Sequence, residues 1–240
     1  MTWIVAGGTL LAVGCEAGVG PSERESGALG LDGLCGESTG EQVFFQDAGL
    51  EAAVRAAVRV SADEALTCNL VASIGELDAS FSGIATLDGI ESLRGLRLLT
   101  LWGNELSDID PLGQLVGLTG VSLRSNRLSD ITILAGLPSL SDVDLGANTI
   151  ADIAPLAALR ELRTLLVSDN LVTDVAPLRG LSRLTNLNLQ GNAALRDIAP
   201  LLDNAGLGPG SAVRLIGTSV SCADVGALEA KGVEVVSDCP

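Results

Sequence analysis

LWGNELSDIDPL, residues 101–112, decides the fold, because its arrangement returns down the chain as LRSN (123–126), LGAN (145–148), VSDN (167–170) and LQGN (189–192). Asn104, Asn126, Asn148, Asn170 and Asn192 are each 22 residues apart. Around them runs the frame L-x-x-L-x-L-x-x-N-x-L-x-D-I-x-P-L-x-x-L. Leu96, Leu99, Leu101, Asn104, Leu106, Asp108, Ile109, Pro111, Leu112 and Leu115 fill it in one copy. Leu140, Val143, Leu145, Asn148, Ile150, Asp152, Ile153, Pro155, Leu156 and Leu159 fill it in another. An earlier copy starts at Ile74, with Ser82 at the asparagine position. The copy from Leu184 carries an extra residue at Ala193–Ala194, Ile133 replaces the proline in one copy, and a degenerate last copy offers Val213, Leu215 and Thr218.

In LLTLW, Leu99 and Leu101 point one way, and Leu98, Thr100 and Trp102 the other, because strand side chains alternate. Stacking the copies predicts a parallel sheet at ~4.8 Å per strand, each coil touching only its neighbours. The inward leucines then form a continuous aliphatic core. That agrees with a composition of 47% hydrophobic but only 2% aromatic residues. The asparagines are expected to bond backbone groups of their own turn and of the next coil, groups that would otherwise be buried unpaired. Asp108, Asp130, Asp152, Asp174 and Asp197 stand before Ile or Val, usually just ahead of a proline. Aspartate there reads as a turn and cap residue; a stacked carboxylate ladder for calcium is the alternative.

The 30 acidic and 14 basic residues give a net charge of −16, which argues against nucleic-acid phosphates and anionic lipid heads as partners. No histidine is present, so histidine acid–base catalysis and histidine metal sites are excluded. There is no nucleophile–base pair, phosphate loop or metal cluster, and no cofactor is expected. An enzyme reading is left with a carboxylate pair, Asp142 and Asp144, ~7 Å apart by strand rise as in glycoside hydrolysis. It lacks the deep aromatic pocket such chemistry uses.

Trp3 to Val13 form an uncharged apolar run, too short to span a bilayer and suited to a signal peptide over 1–14. LLAVGC then resembles a bacterial lipobox, which implies lipidation of Cys15. Ala12 stands where leucine is usual and no Lys or Arg precedes the run, which points to a translation start upstream of Met1. Residues 15–34, rich in Gly, Ser and Glu, read as a lipidated cysteine and flexible tether.

With Cys15 lipidated, the economical pairings are Cys35–Cys68 and Cys222–Cys239; free buried thiols are the alternative. Cys35 and Cys68 bracket an N-terminal cap, residues 35–73, in which Asp47 caps a helix with Leu50, Ala53, Val54, Ala57 and Val58 on one face. Six repeats follow over 74–206. Residues 207–240 hold the degenerate copy and a C-terminal cap with a short helix, a stop at Gly232 and a strand at Val233–Val236, bracketed by Cys222 and Cys239.

The strict frame and both caps resemble bacterial extracellular leucine-rich repeat lipoproteins of the 22-residue, internalin-like class, over about residues 43–240. That class is shared with intracellular regulatory subunits of protein phosphatases. The resemblance implies an α/β solenoid: a right-handed coil with a parallel concave sheet, a helical N-terminal cap and a disulfide-bracketed C-terminal cap. It further implies a non-enzymatic module binding a protein or envelope glycan on the concave face, held in the cell envelope by Cys15. The candidate contact residues are the outward strand positions Leu98, Thr100, Trp102, Ser122, Arg124, Asp142, Asp144, Leu166 and Asn188. Trp102, Leu98 and Leu166 are the large apolar members, and Arg124 faces Asp142 and Asp144. An exposed Trp beside an Arg is typical of a binding hot spot; the alternative is Trp102 folded over Arg124 as surface packing. A structural or regulatory scaffold, phosphatase-regulator-like and cytoplasmic, is the competing function.

Overall fold

In the computed structural model, eight three-residue strands form one parallel sheet in strict chain order. They are β1 (Glu76–Asp78), β2 (Leu98–Thr100), β3 (Gly120–Ser122), β4 (Asp142–Asp144), β5 (Thr164–Leu166), β6 (Asn186–Asn188), β7 (Ala212–Arg214) and β8 (Glu234–Val236). The structure describes residues 41–239, and the expected signal peptide, Cys15 and tether lie outside them. Glu76 pairs with Leu98, and the register runs on through Gly120, Asp142, Thr164 and Asn186, always one 22-residue unit further. From Asn186 to Ala212 the unit is longer, and it includes the exposed insertion Ala193–Ala194.

Each coil returns behind the sheet through a short helical turn. These are 3-10 turns at Ile90–Ser92, Asp110–Gln114, Thr132–Gly136, Ala154–Ala158 and Ala176–Leu178. Pro111, Pro155 and Pro177 occupy first-turn positions, where a missing N–H costs nothing. Ile133 replaces proline without altering its coil, because the turn at Thr132–Gly136 keeps the same length as its neighbours. Between sheet and turns the leucines of the frame are buried, among them Leu96, Leu99, Leu101, Leu106 and Leu112. Each such side chain contributes about 1.5–3 kcal/mol on leaving water.

The asparagines hold the coils together, but they reach backward, not forward as expected. Asn170 Nδ2 donates to Leu145 O (3.0 Å) of the preceding coil, and to Val167 O and Ser168 O of its own turn. Its Oδ1 accepts from Ile150 N, also of the preceding coil (2.9 Å). Asn104, Asn126, Asn148 and Asn192 repeat the pattern. The direction follows from the turn geometry: the amide sits after its strand, beside backbone the earlier coil has left open. It also explains Ser82. The first coil has no repeat before it to hook, so a short hydroxyl bonded to Ser80 O suffices there. In the last coil Thr218 Oγ1 donates to Leu215 O, keeping only the own-turn bond.

At the N-terminal end, α1 (Ala48–Val58) lays Leu50 and Val54 into the core, with Ala53 and Val58 half-buried. Ala57, expected on that face, is exposed. Asp47 Oδ1 accepts from Gly49 N and Leu50 N, and its Oδ2 from Ala85 N of the first coil, so one side chain caps the helix and ties it to the solenoid. Burial raises the Asp47 pKa, but the backbone N–H groups of Ala85, Leu50 and Gly49 outweigh it and the net shift is downward. A lowered folded-state pKa means the stabilisation is present above the unfolded carboxylate pKa, ~3.9, and fades as pH falls through the folded value. Asp47→Ala is expected to cost about 1 kcal/mol at pH 7 and less at pH 2, read as the change in urea midpoint. Equal losses at both pH values would contradict this account.

The short α2 (Cys68–Val71) follows, and Cys68 is disulfide-bonded. Its expected partner, Cys35, lies outside the described residues. In the sixth coil the return is α3 (Ala199–Leu202). Buried Asn204 there donates to Leu178 O and Leu181 O, again backward. The C-terminal cap is α4 (Cys222–Ala230), a reversal at Gly232 and β8. Lys231, the only lysine in the chain, donates to Leu201 O, Leu202 O and Asn204 O, so it closes the carbonyl end of α3. Cys222 and Cys239 form the expected disulfide.

Candidate functional site: the concave sheet face

Leu98, Thr100, Ser122, Asp142, Asp144, Leu166 and Asn188 all leave the same side of the sheet, as the strand register requires. They are exposed or half-buried, while Leu99, Val121, Val143, Leu165 and Leu187 between them are buried. Trp102 and Arg124 continue the ladder past β2 and β3: Phe81 N donates to Trp102 O (2.8 Å) and Gly103 N to Arg124 O (3.0 Å). A shallow depression of about 260 Å³ lies over β2 to β5, with Leu98 and Leu166 at its sides and Asp142 and Asp144 between them.

Two glycines give this face its relief. A Cβ on Gly120 would sit 2.8 Å from Leu98 Cδ2, and one on Gly146 would sit 2.4 Å from an Arg124 guanidinium nitrogen. Leu98 and Arg124 therefore each lean over the next coil in a space only glycine leaves. Arg124 donates to Ser168 Oγ (3.3 Å), two strands on. It makes no ion pair with Asp142 or Asp144; the four ion pairs among the described residues lie elsewhere. Asp142 accepts from Ser141 Oγ and Asp144 from Gly146 N.

Trp102 does not fold over Arg124. It packs against Phe81, with ring centroids 4.8 Å apart and planes tilted by 56°. Trp102 is 42% and Phe81 66% exposed. The sequence reading missed Phe81, which precedes Ser82 as Gly103, Ser125, Ala147, Asp169 and Gly191 precede their asparagines. All six have positive φ, from 53° to 77°. Only Gly takes that conformation freely; for other residues it costs about 1–2 kcal/mol. A bulky aromatic in such a column was the available signal.

The aspartate column serves the turns. Asp108, Asp130, Asp152, Asp174 and Asp197 each accept from the backbone N–H two residues on, at 2.7–2.8 Å. Thr86 holds the same place in the first coil and accepts from Asp88 N. Among the described residues no group of three or more Cys, Asp or Glu is placed to hold a metal ion, and no helix is long and apolar enough to cross a membrane.

Comparison with known proteins agrees with this geometry. A family model described as leucine-rich repeats (2 copies) matches residues 160–203. Among curated proteins, no sequence matches the chain. An internalin (inlF) from Listeria monocytogenes superposes with TM-score 0.73 at 27% identity, over 80% of this chain and 56% of that one. Internalin C2 from the same organism gives TM-score 0.62 at 29% identity, over 80% of this chain and 94% of that one. The functional domain of InlJ, also from Listeria monocytogenes, gives 0.63 at 23% identity, over 76% and 39%, a likeness of fold alone. The chain thus spans just over half of the first internalin. With eight parallel strands in register and leucine-rich repeats in the chain, the described residues form a leucine-rich repeat solenoid similar to the internalins.

Proposed function

We propose that the protein is a non-enzymatic recognition module whose concave face binds a partner protein outside the cytoplasm, tethered to a membrane through Cys15. The observation that carries this reading is the exposed Phe81–Trp102 pair on a face whose other side chains, Leu98 and Leu166 apart, are mostly small or polar. A tilted aromatic pair left in water contributes nothing to the core and is the kind of anchor on which binding energy concentrates. The similarity to internalins and the Cys222–Cys239 disulfide, which persists in oxidising compartments, support the extracytoplasmic setting. An envelope glycan is the other ligand class considered for the same face.

The test is partner capture on immobilised full-length protein. Trp102→Ala is expected to weaken capture by about 2 kcal/mol or more, roughly thirtyfold, while the thermal midpoint stays within about 2 °C. A lowered midpoint with unchanged capture would assign Trp102 to packing instead. Tethering is checked separately: Cys15→Ser is expected to move the protein from the membrane to the soluble fraction, and an unchanged distribution rejects the anchor.

A further inference from the structure

The geometry points to a cationic partner: an extended peptide segment whose arginines lie against the Phe81–Trp102 pair and the Asp142 and Asp144 carboxylates. This rests on the recognition reading and adds the chemistry of the partner. The chain holds five aromatic residues, and of the four described only Phe45 is buried. Phe81 keeps a bulky ring at φ 53°, with that ring lying across Gly103 and against Trp102. Glycine occupies the same register position in two other coils, so the backbone does not call for an aromatic there.

The carboxylates are the second observation. Glu76, Asp78, Asp142 and Asp144 all stand on this face, and none makes an ion pair among the described residues. Arg124, the nearest cation in the register, reaches across Gly146, past Asp144, and is bonded to Ser168 without an ion pair to either aspartate. The face thus presents aromatic rings and carboxylates that no ion pair occupies, and its own guanidinium is bonded to Ser168. A guanidinium suits the two together: its plane stacks on an indole, and its forked N–H groups match a carboxylate. With a net charge of −16, long-range attraction draws in a positive ligand and repels an acidic one.

Spacing fits an extended segment. Trp102 follows β2 and Asp144 ends β4, so two strand spacings and one alternate-residue step separate them, about 12 Å in all. Residues four apart in an extended peptide are about 13 Å apart. The depression between Leu98 and Leu166 lies under the intervening residues.

The test uses the full chain with Trp3→Phe, which leaves Trp102 as the sole indole. Its emission is titrated with a nonapeptide bearing arginines at its third and seventh positions, with the glutamate counterpart, and with a neutral chito-oligosaccharide. The arginine peptide is expected to give a saturable change that weakens at least tenfold from low to high salt, and the other two none. Phe81→Gly, which suits the backbone there, and the double substitution Asp142→Asn with Asp144→Asn are each expected to weaken binding at least fivefold at an unchanged thermal midpoint. Equal binding of the glutamate peptide or the oligosaccharide overturns the proposal, as does arginine-peptide binding indifferent to both variants. If no probe binds while Trp102→Ala still abolishes partner capture, the cationic assignment falls and the recognition surface stands.

Discussion

Asn170→Ala is expected to lower the unfolding free energy by about 3–5 kcal/mol, one of the largest single losses available in this chain. Asn170 is buried, and its amide satisfies Ile150 N, Leu145 O, Val167 O and Ser168 O together. Alanine leaves Ile150 N without a partner and takes one of two donors from Leu145 O, Val167 O and Ser168 O, which keep Asn148 Nδ2, Asn192 Nδ2 and Ala147 N. The orphaned buried N–H costs about 1–3 kcal/mol and each lost hydrogen bond about 0.5–1.5 kcal/mol. Part of that returns as the coils relax, hence a total below the sum. At this chain length the loss corresponds to roughly 10 °C in thermal midpoint. Asn126 makes the same set of bonds but is only half-buried, so water can replace part of them and Asn126→Ala should cost less. Thermal and urea unfolding of both variants check the order; a loss below about 1 kcal/mol at Asn170 would mean the ladder is not what joins the coils.

Cys222→Ser with Cys239→Ser, made together so that Cys68 is undisturbed, is expected to cost about 3 kcal/mol. On the chain-entropy model that is the value for a loop near the 17-residue separation of this disulfide. The loss should be local. β8 is the last strand of the sheet and is joined to β7 and its following loop by bonds such as Leu215 N to Val236 O and Gly217 N to Asp238 Oδ2. Without the crosslink, α4 and β8 open as a unit before the leucine-filled coils do. Amide exchange at Glu234, which donates to Ser211 O, is expected to accelerate strongly, while Leu145, in mid-solenoid, keeps its rate. Unchanged protection at Glu234 would show that packing of Val225, Leu228 and Val233 holds the lid unaided.

Much of this was legible in the sequence because a strict period converts directly into register. Once Asn104 and Asn126 stand a fixed distance apart, Leu99 must lie beside Val121, and every concave position follows. The aspartate turns were legible for the same reason: a local bond to the N–H two residues on needs no tertiary knowledge. What escaped was set by side-chain direction. The backward reach of the asparagines depends on which neighbouring coil leaves its backbone open, and a translational repeat looks alike in both directions. Arg124 stands beside Gly146 in the register, one alternate-residue step from Asp144, yet the gap above Gly146 lets it reach Ser168 instead of pairing with an aspartate. Phe81 was overlooked because the column it belongs to holds Phe, Gly, Ser, Ala and Asp, and is unified by a backbone angle rather than by residue type.

The backward hook gives the molecule a fixed beginning and an extensible end. A newly made turn finds its template already in place, so coils can add one by one from the amino end, the order in which a ribosome or a translocation pore delivers the chain. Each new asparagine closes an N–H left open by the coil before it, as Asn170 closes Ile150 N. Duplicating one unit near the carboxyl end would widen the recognition surface by ~4.8 Å with no contact redesigned, so reach toward a larger ligand is open to this architecture by gene duplication alone.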